Sequence, residues 1–175
     1  MSQRDSGYER KERDLYETPE WVTHALTNRF LRPPEVVWEP ACATGKMTRA
    51  LGMLDAKIVG SDISEGADFL ETDPPDGCDA IITNPPYALA QQFIRRALHL
   101  MEKPLGQVAM LLRTDFDHAR SRLDLFDSCP AFATKVVLTK RIKWFEDSKG
   151  QPSFNHAWFI WDWRHKGAPT LAYGP

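Results

Sequence analysis

The sequence predicts an α/β fold, a doubly wound and mostly parallel sheet that closes with an antiparallel C-terminal hairpin. Three observations predict it. Short apolar runs alternate with helix-period stretches from about residue 19 to about residue 125, the pattern of strands joined by helical crossovers. Two of those runs stop abruptly in loops of small or ring-constrained residues, at 39–45 and at 84–87. Beyond about residue 130 two strand-like runs follow one another, separated by a polar segment rich in Lys, Asp and Gly.

The elements follow in order. Residues 1–14 are charged with few apolar positions and read as a flexible arm before a single domain at 15–175. Thr18 reads as an N-cap and Pro19 as the first residue of a helix over 19–31, whose apolar stripe is Trp21, Val22, Ala25, Leu26 and Phe30. Strand 35–38, helix 46–54, strands 57–61 and 79–83, helix 87–102 and strand 106–112 come next, then a helix over 118–126. Lys135-Val136-Val137-Leu138 and the run from His156 to Trp161 read as an antiparallel pair at the sheet edge. No internal repeat is visible.

Composition sets outer limits. The 175 residues suffice for one sizeable core. A formal charge of −2 argues against a globally basic nucleic-acid binder and leaves local patches open. Cys42, Cys78 and Cys129 have no C-x-x-C spacing, and the five histidines are scattered, so neither a disulfide framework nor a metal site is expected. With no signal peptide and no membrane-spanning apolar run, the sequence reads as a reduced, cytoplasmic protein.

The sharpest signal is Asn84-Pro85-Pro86-Tyr87, directly after the buried-strand run Ala80-Ile81-Ile82. Proline fixes its own φ and disfavours helix in the residue before it, so Asn84 and Pro85 are held extended at the strand end. That backbone presents a side-chain amide and the Pro85 C=O in a fixed relation, with the Tyr87 ring two residues on. Two acceptors and a stacking surface match a planar exocyclic amine. The tetrapeptide resembles the catalytic motif of amino-methyltransferases that use S-adenosylmethionine, above all the DNA adenine-N6 enzymes, and also methylases of RNA bases and of protein glutamine.

A second loop, Glu39-Pro40-Ala41-Cys42-Ala43-Thr44-Gly45, follows the run Val36-Val37-Trp38. Its small residues let the backbone turn tightly and admit a ligand closely. It resembles the first motif of the adenine methylases whose cofactor site precedes the Asn-Pro-Pro-Tyr site, the gamma-type order. There Ala43 stands where the wider fold has glycine. The resemblance covers roughly residues 16 to 162 and implies a Rossmann-like class I methyltransferase fold. It also implies that Asp62, about twenty residues on, holds the cofactor's ribose, with Ile63 beside it. Asp68 and Phe69 would hold and cover the cofactor's adenine, although the five residues between Asp62 and Asp68 leave no room for a helix. Either the crossover is reduced to a turn or the pair is displaced from the adenine pocket. Tyr16, Thr18 and Pro19 would touch the amino-acid end of the cofactor.

The stretch from Lys140 to Asp147 interleaves Lys140, Arg141 and Lys143 with Trp144 and Phe145. It reads either as a solvated hairpin loop with a hydrophobic clasp or as a phosphate-contacting, base-stacking loop. In the resembled enzymes the equivalent loop covers the second face of a flipped base. The choice between Trp144 and Phe145 is open, and the register favours Phe145.

The resemblance thus implies methyl transfer from S-adenosylmethionine to the N6 amine of adenine in DNA, by a small phage or bacterial form. No separate target-recognition domain is expected here, so specificity would come from loops or from a partner subunit. RNA-base and protein-glutamine methylation are alternatives. About 34 residues precede the first strand, few for the helical domain a glutamine methylase carries there. A catalytically silent S-adenosylmethionine-binding subunit is a third reading, against which the intact Asn84 argues.

Overall fold

A computed structural model of the protein describes residues 16–26, 29–30, 32–144 and 154–175. Its centre is a seven-stranded sheet: β1 (Val36–Glu39), β2 (Lys57–Gly60), β3 (Ala80–Thr83), β4 (Gln107–Arg113), β5 (Phe132–Leu138), β6 (His156–Asp162) and β7 (Thr170–Gly174). The strand order is β2-β1-β3-β4-β6-β5-β7. The first four strands are parallel, β6 is antiparallel to both β4 and β5, and β7 runs parallel to β5. This is the predicted class.

Strand alternation splits the core between two faces. Trp38, Ile81, Val108, Met110, Phe159 and Trp161 point to one face and pack against Phe93, Ile94 and Ala97 of α3 (Ala90–Leu100). Val37, Ile82, Ala109, Leu111, Trp158 and Ile160 point to the other. There they meet Val22 of α1 (Glu20–His24) and Met47 and Leu51 of α2 (Lys46–Leu51). The three largest buried rings keep their indole N–H groups satisfied. Trp38 donates to Ser61 Oγ (2.8 Å), Trp158 to the Val22 carbonyl (2.8 Å) and Trp161 to the Leu125 carbonyl (2.7 Å). The Trp158 bond pins α1 to the sheet beneath it.

Several boundaries differ from the expectation. The first helix holds only Glu20–His24, with Pro19 rather than Thr18 at its N-cap (φ −61°, ψ 146°) and no side-chain capping bond. The second helix stops at Leu51 because Gly52 follows it. The stretch 87–102 opens as a 3₁₀ turn at Tyr87–Leu89 before α3 begins. At 118–126 there is no α-helix but a 3₁₀ segment, Arg120–Leu125, in which Leu125 alone is buried. The connection after Asp62 is a single 3₁₀ turn, Ile63–Glu65, closed by Gly66 at φ 88°. Finally, the β5–β6 pair is not at the sheet edge. β7 covers it, carrying Leu171 and Tyr173 outward while its last residue, Gly174, lies under Ala25 with no room for a side chain.

Candidate active site

The parallel strands β1, β2 and β3 end on one side of the sheet. Because the chain leaves β1 for β2 on one side and returns as β3 on the other, the chain order reverses at β1, which is where open α/β sheets bind ligands. Both sequence motifs lie there.

The loop after β1 is built by close backbone approach. Cys42 N–H donates to the Ser61 carbonyl (3.0 Å) and Gly45 N–H to the Cys42 carbonyl (2.7 Å). Ala43 takes φ 47°, the left-handed conformation in which glycine is usual, and Gly45 caps α2 at φ 77°. Asp62 holds this loop in place. Its Oδ2 accepts Ala43 N–H (2.9 Å), while Oδ1 accepts the backbone N–H (2.9 Å) and hydroxyl (2.6 Å) of Ser64. Gly60, which sequence reasoning passed over, is needed as well: a Cβ there would stand 3.2 Å from Cys42 Sγ and from a Thr48 methyl.

Glu39 is the most unusual group. It ends β1 fully buried: Oε1 accepts the Thr83 hydroxyl at 3.0 Å, and no group among the described residues stands within hydrogen-bonding geometry of Oε2. Burial pushes its pKa up to about 8. The Thr83 hydroxyl and the Ala41 backbone N–H pull the other way, and Asp62 adds a smaller upward push. In the protein alone Glu39 is therefore mostly protonated at neutral pH.

Thr83 ends β3, and Asn84 follows it into the cleft. The Asn84 amide nitrogen donates to the Tyr16 carbonyl at 3.1 Å, which commits the nitrogen and leaves the amide oxygen as this side chain's acceptor toward a substrate. Pro85 is buried and Pro86 extended, and Tyr87 begins the turn into α3. The Tyr87 hydroxyl and His156 Nε2 share a 2.8 Å hydrogen bond. Four rings gather here. Tyr16 lies 5.8 Å from Tyr87 and 5.4 Å from Trp144, and His156 stands edge-on to Trp144 at 5.3 Å. Tyr16, Glu17, Thr18, Glu39, Ala41, Cys42, Lys46 and Asn84 line a small solvent-open cleft.

Not every expected residue joins this cleft. Phe69 is buried under α3, 5.2 Å from Trp38 and 4.7 Å from Phe93, as part of the core. Asp68 caps its own turn by accepting Leu70 N–H at 2.9 Å. Ile63 is exposed at the tip of the β2 turn, Pro40 is buried behind the loop, and Pro19 caps α1 behind the buried Thr18. Lys140 Nζ lies 5.3 Å over the Trp21 ring, Arg141 Nε donates to Asn155 Oδ1 (2.9 Å), and Lys143 is exposed. Trp144 lies against this cluster, and Phe145 lies outside the described residues. His156 and Thr83 were not singled out from sequence. A lone histidine opening the apolar run to Trp161 was the available signal for the first. Among the described residues no cluster of His, Cys, Asp or Glu could hold a metal ion, and no helix is long and apolar enough to cross a membrane.

Comparison with solved structures defines the class of fold. A Listeria monocytogenes protein assigned to the class I S-adenosylmethionine-dependent methyltransferases superposes with a TM-score of 0.58 at 13% identity, over 90% of this chain and 65% of its own. A dimethyladenosine transferase from Plasmodium falciparum gives 0.58 at 18% identity, over 85% of this chain and 62% of its own. The modification subunit assigned to a type I restriction enzyme of Vibrio vulnificus gives 0.56 at 14% identity, over 90% of this chain and 46% of its own. The chain thus spans less than two thirds of the length of each. The architecture is that of the Rossmann-like class I methyltransferases. No protein-family profile and no curated protein sequence matches the chain.

Proposed function

We propose that this chain is an S-adenosylmethionine-dependent N-methyltransferase that acts on the exocyclic N6 amine of adenine in DNA. One observation carries the reading: Glu39 and Asn84, at the ends of neighbouring parallel strands, line the same cleft, the first with a buried oxygen lacking a partner and the second with its amide held by the backbone. The donor set fits the cofactor. An unpartnered buried carboxyl matches a cationic amino-acid end, Thr18 and Lys46 flank it, and the tight backbone from Ala41 to Gly45 admits a close ligand. Asp62, at the end of the neighbouring strand, would hold the ribose, with Ile63 beside it. Asp68 and Phe69 would bound the adenine end, Phe69 as a wall rather than a mobile cover. When bound, the cofactor supplies a methyl group on a sulfonium, a strong electrophile.

The residues of the chain then do the rest. The adenine amine is a weak nucleophile because its lone pair is delocalised into the ring. Asn84 Oδ1 and the Pro85 carbonyl would each accept one N–H, favouring the pyramidal amine whose lone pair points at the methyl carbon. The proton that the amine gives up on methylation would pass to water. Alignment and fixed dipoles can supply most of the acceleration. Extruding a base from a duplex costs a few kcal/mol, which stacking on Tyr87 and Trp144 would offset. Lys140, Arg141 and Lys143, with Phe145 beyond them, belong to the proposed backbone-contacting loop. Sequence recognition falls to loops of this chain or to a partner subunit, and the reading implies a cytoplasmic enzyme. The decisive experiment offers radiolabelled S-adenosylmethionine to DNA, RNA and protein pools side by side. N6-methyladenine in DNA supports the reading. Label confined to RNA or to glutamine replaces it, and no transfer to any pool leaves a silent binding module.

A further inference from the structure

Outside the two motifs, His156 is the polar group most closely engaged with the site. It opens β6, opposite Arg113 of β4, and is almost fully buried. Its Nε2 bonds the Tyr87 hydroxyl at 2.8 Å, and the two rings lie 6.2 Å apart at 27°. It also stands edge-on to Trp144, with ring centroids 5.3 Å apart at 86°. One imidazole therefore touches two of the aromatic side chains gathered at the Asn84 end of the cleft. A buried polar ring is costly to keep unless it is bonded. Here Nε2 bonds the Tyr87 hydroxyl, on the residue that begins the turn Tyr87–Leu89.

We infer that His156 is a positioning residue for the substrate. It holds Tyr87 by the hydroxyl and braces Trp144, fixing the distance and tilt between the two rings before a base arrives. The inference rests on the proposed adenine reading and deepens it by naming a residue on β6 outside both motifs. The imidazole works as a neutral ring. Burial first, and the Arg113 guanidinium second, push its pKa down to about 4, against weaker opposing pulls from the Phe154 backbone and then Asp115. The Tyr87 bond thus keeps its character across the neutral range. Pre-set rings spare the base the cost of ordering them.

The test compares Tyr87→Phe, His156→Phe, the double variant and His156→Gln in methyl transfer to an adenine-containing duplex. The first two keep their rings and lose the shared bond. Each should raise KM for DNA about three- to tenfold, the scale of one neutral hydrogen bond, with cofactor affinity unchanged by calorimetry. The double variant should be no worse than the more impaired single, because both remove the same bond. His156→Gln, which can still bond the hydroxyl, should recover most of the loss. A wild-type KM in Tyr87→Phe, or additive losses in the double variant, overturns the assignment even if His156→Phe folds poorly, since Tyr87 is only half-buried. A wild-type protein that transfers no methyl to DNA overturns the functional reading itself, which separates the two failures.

Discussion

Asp62 Oδ2 accepts the Ala43 N–H at 2.9 Å, and this bond ties the loop after β1 to the turn after β2. Ala43 is held at φ 47°, where a side chain costs about 1 kcal/mol or more relative to glycine. The strained residue and its restraint are thus directly bonded. Asp62→Ala removes three bonds at once and leaves the Ala43 and Ser64 N–H groups unpaired. Cofactor affinity should fall by about 1–3 kcal/mol with a lowered melting temperature, and unchanged calorimetric affinity would remove Asp62 from the site. Ala43→Gly should do the reverse for stability, adding up to about 1 kcal/mol, because the left-handed conformation then costs nothing.

Asn84→Ala should cut methyl transfer by two or more orders of magnitude, roughly the loss seen when one preorganised transition-state partner is removed. Cofactor binding should stay near wild type, since the carboxyl assigned to the amino-acid end is that of Glu39. Single-turnover kinetics with equilibrium binding separates the two. Full activity in Asn84→Ala would place the chemistry elsewhere.

If Glu39 faces the cationic end of the cofactor, as proposed, cofactor binding should be proton-linked. Its folded pKa is raised from 4.5 to about 8, so the folded state holds the proton more tightly than the unfolded chain. Stability from this group is present below about pH 4.5 and is lost as pH rises through 8, by up to about 1.4 kcal/mol per unit. Glu39→Gln should therefore flatten the fall in melting temperature between about pH 4.5 and 8. A cationic group arriving beside Glu39 favours its ionised form, so binding at pH 7 should release a proton. Calorimetry in buffers of different ionisation enthalpy reads that release, and in Glu39→Gln it should vanish.

His156 has the opposite sign. A histidine whose pKa drops from 6.5 to about 4 on folding binds its proton more weakly in the folded state. The protein should lose stability as pH falls from about 6.5 toward 4 and show no further loss from this group below that. Thermal melts of His156→Gln across this window should be flatter than wild type. An unchanged slope would mean that other groups govern acid unfolding.

Trp144→Ala and Tyr87→Ala should each weaken DNA use by about 1–3 kcal/mol, the size of one base–aromatic contact. Lys143→Ala should reduce the salt dependence of DNA binding without changing base identity. Lys140→Ala should do less, because its ammonium is already placed over Trp21. A Trp144→Ala protein that melts lower yet methylates normally per folded molecule would assign the ring to the core.

The sequence by itself determined the fold class and the position of the two loops. Strand runs ending in ring-constrained or small residues are local signals, and proline and glycine act on the backbone where they stand. Hence β1, β3 and their loops fell within a residue or two of expectation. Tertiary structure decided what depends on a distant partner. β7 was missed because Leu171 and Tyr173 face outward and only its pairing with β5 makes it a strand. The helix expected at 118–126 became a 3₁₀ segment, Arg120–Leu125, followed by the buried Phe126 against Phe132, Phe159 and Trp161. Phe69 packs between Trp38 and Phe93 in the core, a contact set by the fold and not by the short turn that precedes it. The Thr83–Glu39 bond spans 44 residues and the His156–Tyr87 bond spans 69. No local pattern encodes such pairs, since a hydrogen bond between strand ends depends on the sheet order that brings those ends together.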